Sequence, residues 1–160
     1  MNLTIRELPS EKDIQHVREI VSSTGFFYDH EIDVAVELVQ ERVEKGIESG
    51  YYFIFADYEG KTIGYSCYGE IPCTTKSFDL YWIAVHNDFR DKGIGKKIFD
   101  ETYNAIKKQN GRKIYIETSS REKYIPTQKF YDRCKCDLEA RLKDYYDKDD
   151  DKLVYVKTVE

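Results

Sequence analysis

The sequence is poor in the residues that build metal sites and disulfide frameworks. Its 160 residues include four cysteines and three histidines. Cys134 and Cys136 are one residue apart, which is not the C-x-x-C spacing of redox or zinc motifs. No histidine stands at ligand spacing from a cysteine. We therefore expect no metal site, and we expect the thiols to be reduced, as they are in the cytoplasm.

Long apolar runs and an excess of positive charge are also lacking. No run approaches the roughly 20 apolar residues that span a bilayer. Residues 1–7 show no basic region followed by an apolar stretch, so we expect no signal peptide. The formal net charge is −5. That charge disfavours nucleic acid as the main ligand, because phosphate binding needs a concentrated basic face, and it suits a cationic substrate better. We expect a cytoplasmic protein with neither a membrane nor a nucleic-acid partner.

What the sequence does contain is a regular succession of apolar patterns. Hydrophobic residues make up 41% of the chain and charged residues 34%, which is the balance of one globular domain over residues 1–160. Periodicity and turn residues predict seven strands and four helices in the order 3–8 (strand), 10–25 and 32–48 (helices), 52–58, 62–71 and 78–85 (strands), 93–109 (helix), 113–118 (strand), 124–134 (helix), 136–146 and 152–159 (strands).

Two local expectations follow from the same patterns. The second helix should place Ile47 on the same side as Ile32 and Val39. The acidic run at 147–151 reads most simply as a solvated hairpin turn.

The strongest local pattern is a glycine-containing turn between a buried strand and an amphipathic helix. Gly93 and Gly95 remove Cβ atoms where the helix begins, so a ligand can approach the backbone closely. The first N–H groups of a helix lack partners within it and favour an anion. A turn without any ligand is the alternative.

Two familiar phosphate motifs are excluded at this turn. A dinucleotide fingerprint needs glycine or alanine where Ile98 stands. A P-loop needs glycine at Arg90 and serine or threonine at Lys97.

The run from Trp82 to Gly95 resembles the first signature of the GNAT acetyltransferase family, which is Arg or Gln, two residues, Gly, one residue, then Gly or Ala after a buried strand. Phe130 and Tyr131 resemble its second signature. The strand order is also similar to the family's, so the resemblance covers nearly the whole chain. It implies an α+β fold with a mixed, mostly antiparallel sheet of six to seven strands flanked by about four helices.

The resemblance implies acetyl-CoA as co-substrate, with its pyrophosphate on the backbone of the turn and its pantetheine arm along the preceding strand. Arg90 and Lys96 would add positive charge, and a backbone N–H near Ile83 or Ala84 would stabilise the oxyanion. Thr127 stands where the family often has alanine. The implied cofactor-binding residues are Ile83, Ala84, Val85, Arg90, Asp91, Lys92, Gly93, Ile94, Gly95, Lys96 and Thr127.

The implied reaction is direct attack of a neutral amine on the thioester in a ternary complex. Tyr131 matches the family's general acid, since a phenol with a pKa of about 10 can protonate a thiolate whose conjugate acid is near 8.5; simple packing of this tyrosine on the sheet is the alternative. The general base is open between Asp79 and Glu70. By strand alternation Asp79 shares a face with Ile83 and Val85. Solvated strand-end charges are the alternative for both carboxylates.

The acceptor is expected to be a primary amine of a small molecule, amino acid, peptide or protein. An aromatic and acidic rim would favour a cation, with the residues Phe26, Phe27, Tyr28, Asp29, Tyr145 and Tyr146. Two other functions stay open: a non-catalytic acyl-CoA-binding or regulatory module, and a nucleotide-phosphate binder unrelated to coenzyme A. The oligomeric state is also open, with a homodimer among the alternatives.

Overall fold

The computed structural model describes residues 1–160 and contains four α-helices and a seven-stranded sheet. The helices are α1 Lys12–Ser23, α2 Asp29–Lys45, α3 Ile94–Lys108 and α4 Ile125–Arg133. The strands are β1 Thr4–Arg6, β2 Tyr52–Tyr58, β3 Lys61–Glu70, β4 Ser77–Val85, β5 Lys113–Ser119, β6 Asp137–Asp147 and β7 Asp150–Thr158. Their order in the sheet is β1-β2-β3-β4-β5-β7-β6, with β4 and β5 parallel. The predicted α+β class with a mixed, mostly antiparallel sheet is confirmed.

The chain divides into two compact units, and β3, β4 and α3 contribute residues to both. The first unit comprises Met1–Gly69 and Trp82–Asn104, and the second comprises Glu70–Tyr81 and Ala105–Glu160. The assignment of residues 1–160 to a single domain stays a prediction.

The core of the first unit is formed by α1, α2, β2 and β3. Val17, Ile20 and Val21 turn the apolar side of α1 inward, as the sequence predicts, and each is at most 1% exposed. They share this core with the stacked rings of Phe53 and Phe55. Burial of each such side chain stabilises the fold by roughly 1.5–3 kcal/mol.

The second helix ends earlier than its periodicity predicts. α2 stops at Lys45, Gly46 takes a φ of +65°, and a single 3₁₀ turn, Gly46–Ser49, follows. Ile47 is consequently 67% exposed. The prediction that Ile47 lies on the same side of the helix as Ile32 and Val39 was wrong, because the positive φ of Gly46 ends the helical period before it.

The acidic hairpin of the second unit is only partly solvated. The turn itself lies at 148–149, whereas Asp150 and Asp151 are buried in β7. The hydroxyl of Ser119 hydrogen-bonds to Asp150, and the guanidinium of Arg141 donates to Asp151. The prediction of a solvated turn was wrong for these two aspartates, because neighbouring strands supply partners that make burial of a carboxylate tolerable.

Candidate functional site

The turn between β4 and α3 is anchored to its own unit by two backbone donors. The N–H of His86 donates to the carbonyl of Ile63 in β3 at 2.7 Å. The N–H of Asn87 donates to the hydroxyl of Ser23 at the end of α1 at 3.0 Å. These bonds hold the start of the turn at the point where the chain leaves the sheet.

Two residues of the turn adopt the left-handed backbone conformation. Asp91 has a φ of +61° and Gly93 a φ of +77°. This conformation strains residues that carry a Cβ atom, so glycine relieves the strain at position 93. A Cβ atom added at Gly93 would meet no atom within 4 Å. The space beside this stretch of backbone is therefore open to a ligand.

The N-terminus of α3 opens directly onto that space. The first bond of its ladder runs from the N–H of Lys97 to the carbonyl of Gly93 at 3.1 Å. The N–H groups of Ile94, Gly95 and Lys96 precede that ladder and coincide with the positive end of the helix dipole. This arrangement suits a phosphate group.

The two cations predicted to assist the turn differ in their surroundings. The ammonium of Lys96 lies 2.6 Å from the carboxylate of Asp100, one helical turn later, so its charge is shared. The guanidinium carbon of Arg90 lies 5.9 Å from the ring centre of Phe26. A ring contact positions a guanidinium without neutralising it. Arg90 is therefore better placed than Lys96 to attract an anion. The side chains of Asp91 and Lys92, which lie between these two cations in the turn, are exposed to solvent.

A glycine that the sequence analysis did not single out sets the packing behind the turn. A Cβ atom at Gly64 in β3 would lie 2.7 Å from the Cδ1 atom of Ile98 in α3 and 3.2 Å from the carbonyl oxygen of Ala84 in β4. Both distances are shorter than ordinary contacts. Glycine at this position therefore allows α3 and β4 to approach β3 closely.

Ala84 is buried, and its neighbours Ile83 and Val85 are partly buried.

The second unit contains an open, solvent-accessible cavity of about 360 Å³ beside Asp79. The parallel pairing of β4 with β5 places Asp79 opposite Tyr115, and alternation along β5 brings Glu117 to the same side. The cavity is lined by Ile71, Thr74, Ser77, Asp79, Tyr115, Glu117 and Val154.

The environment of Asp79 is that of a carboxylate with increased basicity. Burial raises the pKa of Asp79, the nearby Glu117 carboxylate raises it further, and Lys152 acts in the opposite direction. Proton abstraction improves as the pKa of the base approaches the working pH. Asp79 therefore holds a proton more strongly than an exposed aspartate does.

Glu70, the other predicted base, lies elsewhere. It ends β3, is exposed, does not line the cavity, and lies 3.4 Å from the ammonium of Lys76. The structure groups Asp79 with Glu117, a residue that the sequence analysis missed. Alternation along β5 indicates which face carries Glu117, but the register between β5 and β4 cannot be read from the sequence.

α4 carries the remaining two predicted site residues. Tyr131 is 5% exposed, and its ring lies 5.5 Å from the ring of Tyr155. A phenol with an ordinary pKa of about 10 keeps its proton at neutral pH, and burial raises the pKa of Tyr131 above that value. The protonated phenol is the form that a general acid requires. Thr127, one turn earlier, is partly buried.

The residues predicted to form an acceptor rim divide between the two units. Phe27 packs on the ring of Trp82 at 4.9 Å and is attached to the core of the first unit. Tyr28 starts α2 and is exposed. Tyr145 and Tyr146 are exposed near the end of β6 in the second unit.

Two further findings concern metals and membranes. No group of three or more His, Cys, Asp or Glu side chains is arranged to hold a metal ion. None of the helices combines the length and the hydropathy needed to traverse a lipid bilayer.

Comparison with known proteins extends these observations. Residues 49–135 match the family model described as an acetyltransferase (GNAT) domain. The crystal structure of a protein described as an acetyltransferase of the GNAT family from Desulfovibrio desulfuricans is 40% identical, with a TM-score of 0.98, over 99% of this chain and 100% of that chain.

Two further comparisons are more distant, one with a solved structure of the same fold and one with a sequence. The PaiA N-acetyltransferase of Thermoplasma acidophilum, solved in complex with coenzyme A, is 19% identical with a TM-score of 0.74 over 99% of each chain. An uncharacterized N-acetyltransferase of Chlorobaculum tepidum, CT2212, is 28% identical over 81 residues, and the match spans about half of its length, 51%. The family match over residues 49–135 and the 40% identity over the full Desulfovibrio chain lead to one conclusion. The chain belongs to the GNAT acetyltransferase family.

Proposed function

We propose that the chain is an acetyl-CoA-dependent N-acetyltransferase that moves an acetyl group to a primary amine, with a preference for cationic acceptors, by direct attack in a ternary complex. The observation that carries this proposal is the turn before α3, where a left-handed Gly93 and the N-terminus of the helix face open space. When bound, acetyl-CoA supplies the reactive thioester.

The turn has the task of binding the diphosphate of that co-substrate. The N–H groups of Ile94, Gly95 and Lys96 donate hydrogen bonds, and the guanidinium of Arg90 adds charge. The backbone of Ile83 and Val85 in β4 offers partners to the amides of the pantetheine arm. These assignments rest on the position of each residue in the family's signature and on the open space beside Gly93.

Asp79 has the task of removing a proton from the acceptor ammonium. Asp79 and Glu117 both line the cavity beside it, and because Lys152 offsets one of these two charges, a net negative charge remains that attracts a positively charged amine. Because the pKa of Asp79 is raised, its carboxylate holds a proton more strongly than an exposed aspartate does. The cavity thus supports a cationic acceptor and an aspartate base.

Tyr131 has the task of donating a proton to the departing sulfur. Its phenol is protonated at neutral pH, as a phenol with an ordinary pKa of about 10 is, and burial raises the pKa of Tyr131 further. The assignment rests on this protonation state and on the family's second signature at Phe130 and Tyr131.

Substitutions of two glycines test the proposed binding of coenzyme A at the turn. Gly93→Glu adds a side chain and a negative charge at the turn, and should weaken coenzyme A binding at least about a hundredfold in titration calorimetry, a change of roughly 2.7 kcal/mol. Gly50→Glu is the matched control, because Gly50 has a φ of +79° and also has open space around its missing Cβ. Wild-type protein that does not bind coenzyme A, or a Gly93→Glu variant that binds normally, would contradict the proposal.

A panel of acceptors tests the catalytic half. Free thiol released from acetyl-CoA should appear with polyamines, amino acids or basic peptides, and should be slower with an uncharged acceptor of similar size. Coenzyme A binding without thiol release from any acceptor would instead identify a non-catalytic acyl-CoA-binding module. Faster transfer to the uncharged acceptor would refute the role of the acidic cavity.

A further inference from the structure

A lysine of β7 lies on the same face of the sheet as the cavity beside Asp79. Glu117 in β5 pairs with Val154 in β7, and both residues line the cavity. Alternation along β7 places Lys152 on the face of Val154. The ammonium of Lys152 lies 2.8 Å from the carboxylate of Glu117. Lys152 is therefore part of the surroundings of the cavity.

The ammonium of Lys152 is held in position from two sides. Besides its ion pair with Glu117, it lies 4.3 Å from the ring centre of Tyr145. A ring face attracts an ammonium without neutralising it. The side chain of Lys152 is only 12% exposed. Its positive charge is consequently a constant feature of this side of the sheet.

The charges around the cavity leave one carboxylate without an internal partner. Asp79 and Glu117 are the two acidic residues that line it. Glu117 is paired with Lys152, whereas Asp79 takes part in no ion pair. Two carboxylates and one ammonium give a net charge of −1 (−2 + 1) when all three are ionised. The cavity thus offers a free carboxylate to one ammonium, and a second ammonium would be repelled by Lys152.

The remainder of the cavity wall favours an apolar group over a second charge. Ile71 and Val154 contribute aliphatic side chains, and Tyr115 contributes a ring. Apolar groups gain free energy when they leave water for such a surface, whereas a charged group without a partner loses it. The volume of about 360 Å³ lies at the lower end of the roughly 300–1,000 Å³ range of small-molecule sites.

We propose that the acceptor is a small primary amine with one positive charge and an apolar body, and that the Glu117–Lys152 pair sets this preference. Asp79 receives the single ammonium. Lys152 occupies Glu117, and its charge excludes a second ammonium. Lys152 is therefore a specificity-determining residue that takes no part in the chemistry. This inference rests on the proposed function and narrows its substrate class.

A matched pair of amines tests the preference in the wild-type protein. Hexylamine and pentane-1,5-diamine have the same number of non-hydrogen atoms, and the second carries an ammonium where the first has a methyl group. The kcat/KM for hexylamine, measured by thiol release from acetyl-CoA at one pH, should exceed that for the diamine about tenfold or more. Calorimetry in the presence of coenzyme A should give the same order of affinities.

Substitutions of the ion pair test its role in that preference. Lys152→Met keeps an unbranched side chain and frees the carboxylate of Glu117, so the ratio of the two kcat/KM values should fall about fivefold or more. Glu117→Gln leaves the charge of Lys152 unpaired, so the ratio should rise. The double variant again has one free carboxylate and should return to a ratio near that of wild type. A general disturbance of the fold would affect both amines alike and leave the ratio unchanged.

Lys108→Met is the matched control. Lys108 is an exposed residue of α3 that does not line the cavity, and its substitution removes the same charge. The ratio of the two kcat/KM values should stay as in wild type. An equal fall in Lys108→Met and Lys152→Met would assign the preference to the net charge of the protein and overturn the proposal.

Three further results would overturn it. They are equal kcat/KM values for the two amines in wild type, shifts of the ratio in the same direction for both single variants, and a double variant that keeps the ratio of Lys152→Met. Wild-type protein that releases no thiol with either amine would contradict the proposed function. The calorimetric affinities would then still test the cavity, and equal affinities for the two amines would overturn the preference as well.

Discussion

The ammonium of Lys152 in β7 lies 2.8 Å from the carboxylate of Glu117 in β5, and the two charges have opposite effects on Asp79. Burial is the largest cause of the raised pKa of Asp79, Glu117 adds to it, and Lys152 lowers it. Removal of either neighbouring charge should therefore move the pKa of Asp79 in a direction set by the sign of that charge.

The pH dependence of catalysis should show these two directions. If Asp79 is the base, its carboxylate is the active form, and activity is lost as pH falls through its pKa. Glu117→Gln should lower that pKa and move the acid limb of the kcat/KM profile to lower pH. Lys152→Met should raise the pKa and move the same limb to higher pH. The measurement is the pH profile of kcat/KM for wild type and both variants with the same amine. Shifts of the acid limb in the same direction for both variants would exclude Asp79 as the general base.

The choice between the two candidate bases should be visible in kcat. Asp79→Asn removes the proton acceptor and should lower kcat by about 10²–10⁴-fold, the usual contribution of a general base. Coenzyme A affinity, measured by calorimetry, should stay unchanged. Glu70→Gln is the matched control, since Glu70 is exposed and paired with Lys76, and it should change kcat by no more than about twofold. The reverse ranking would assign the base to Glu70.

Tyr131 should matter for chemistry more than for stability. Tyr131→Phe keeps the ring that packs on Tyr155 and removes only the proton donor. We expect kcat to fall by about 10²-fold or more, with a small change in melting temperature. Tyr155→Phe, the neighbouring phenol, should retain kcat. Normal turnover by Tyr131→Phe would indicate that this tyrosine only packs on its neighbours.

A stabilising substitution is expected in the core of the first unit. The hydroxyl of Tyr65 is buried and makes no hydrogen bond. An unsatisfied buried hydroxyl is unfavourable by about 1–3 kcal/mol, so Tyr65→Phe should raise the free energy of unfolding in urea by about 1 kcal/mol.

Substitution of the adjacent residue, Ser66, should change the free energy of unfolding in the opposite direction. Ser66 shares a buried hydrogen bond of 2.6 Å with Thr102 in α3. Ser66→Ala should therefore lower the free energy of unfolding by about 1 kcal/mol. A destabilised Tyr65→Phe variant would show that this hydroxyl has a partner in solution.

The elements with clear local signals were predicted closely. β2 was predicted over 52–58 and is observed over the same residues, and α3 was predicted over 93–109 and is observed as Ile94–Lys108. Apolar periodicity and adjacent glycines define both elements, and both signals act within a few residues. The predicted end of α2 was less accurate. The apolar period of the sequence continues through Ile47, but the positive φ of Gly46 ends the helix before that residue.

The candidate site was predictable in part. The turn around Gly93 was found because its glycines, its preceding strand and its helix are contiguous in sequence. Glu117 was not found, since it approaches Asp79 only through the register of β4 with β5. The cavity that contains both carboxylates arises from that register.

By itself, the sequence determined the order of elements, the family and the position of the glycine turn, because each of these depends on spacing along a continuous stretch of chain. Only the tertiary structure decided that Glu117 joins Asp79, that Asp150 and Asp151 are buried, and that the hydroxyl of Tyr65 has no partner. These outcomes depend on which strands pair and in what register. Register is set by packing between segments that are far apart in sequence, and local patterns do not encode it.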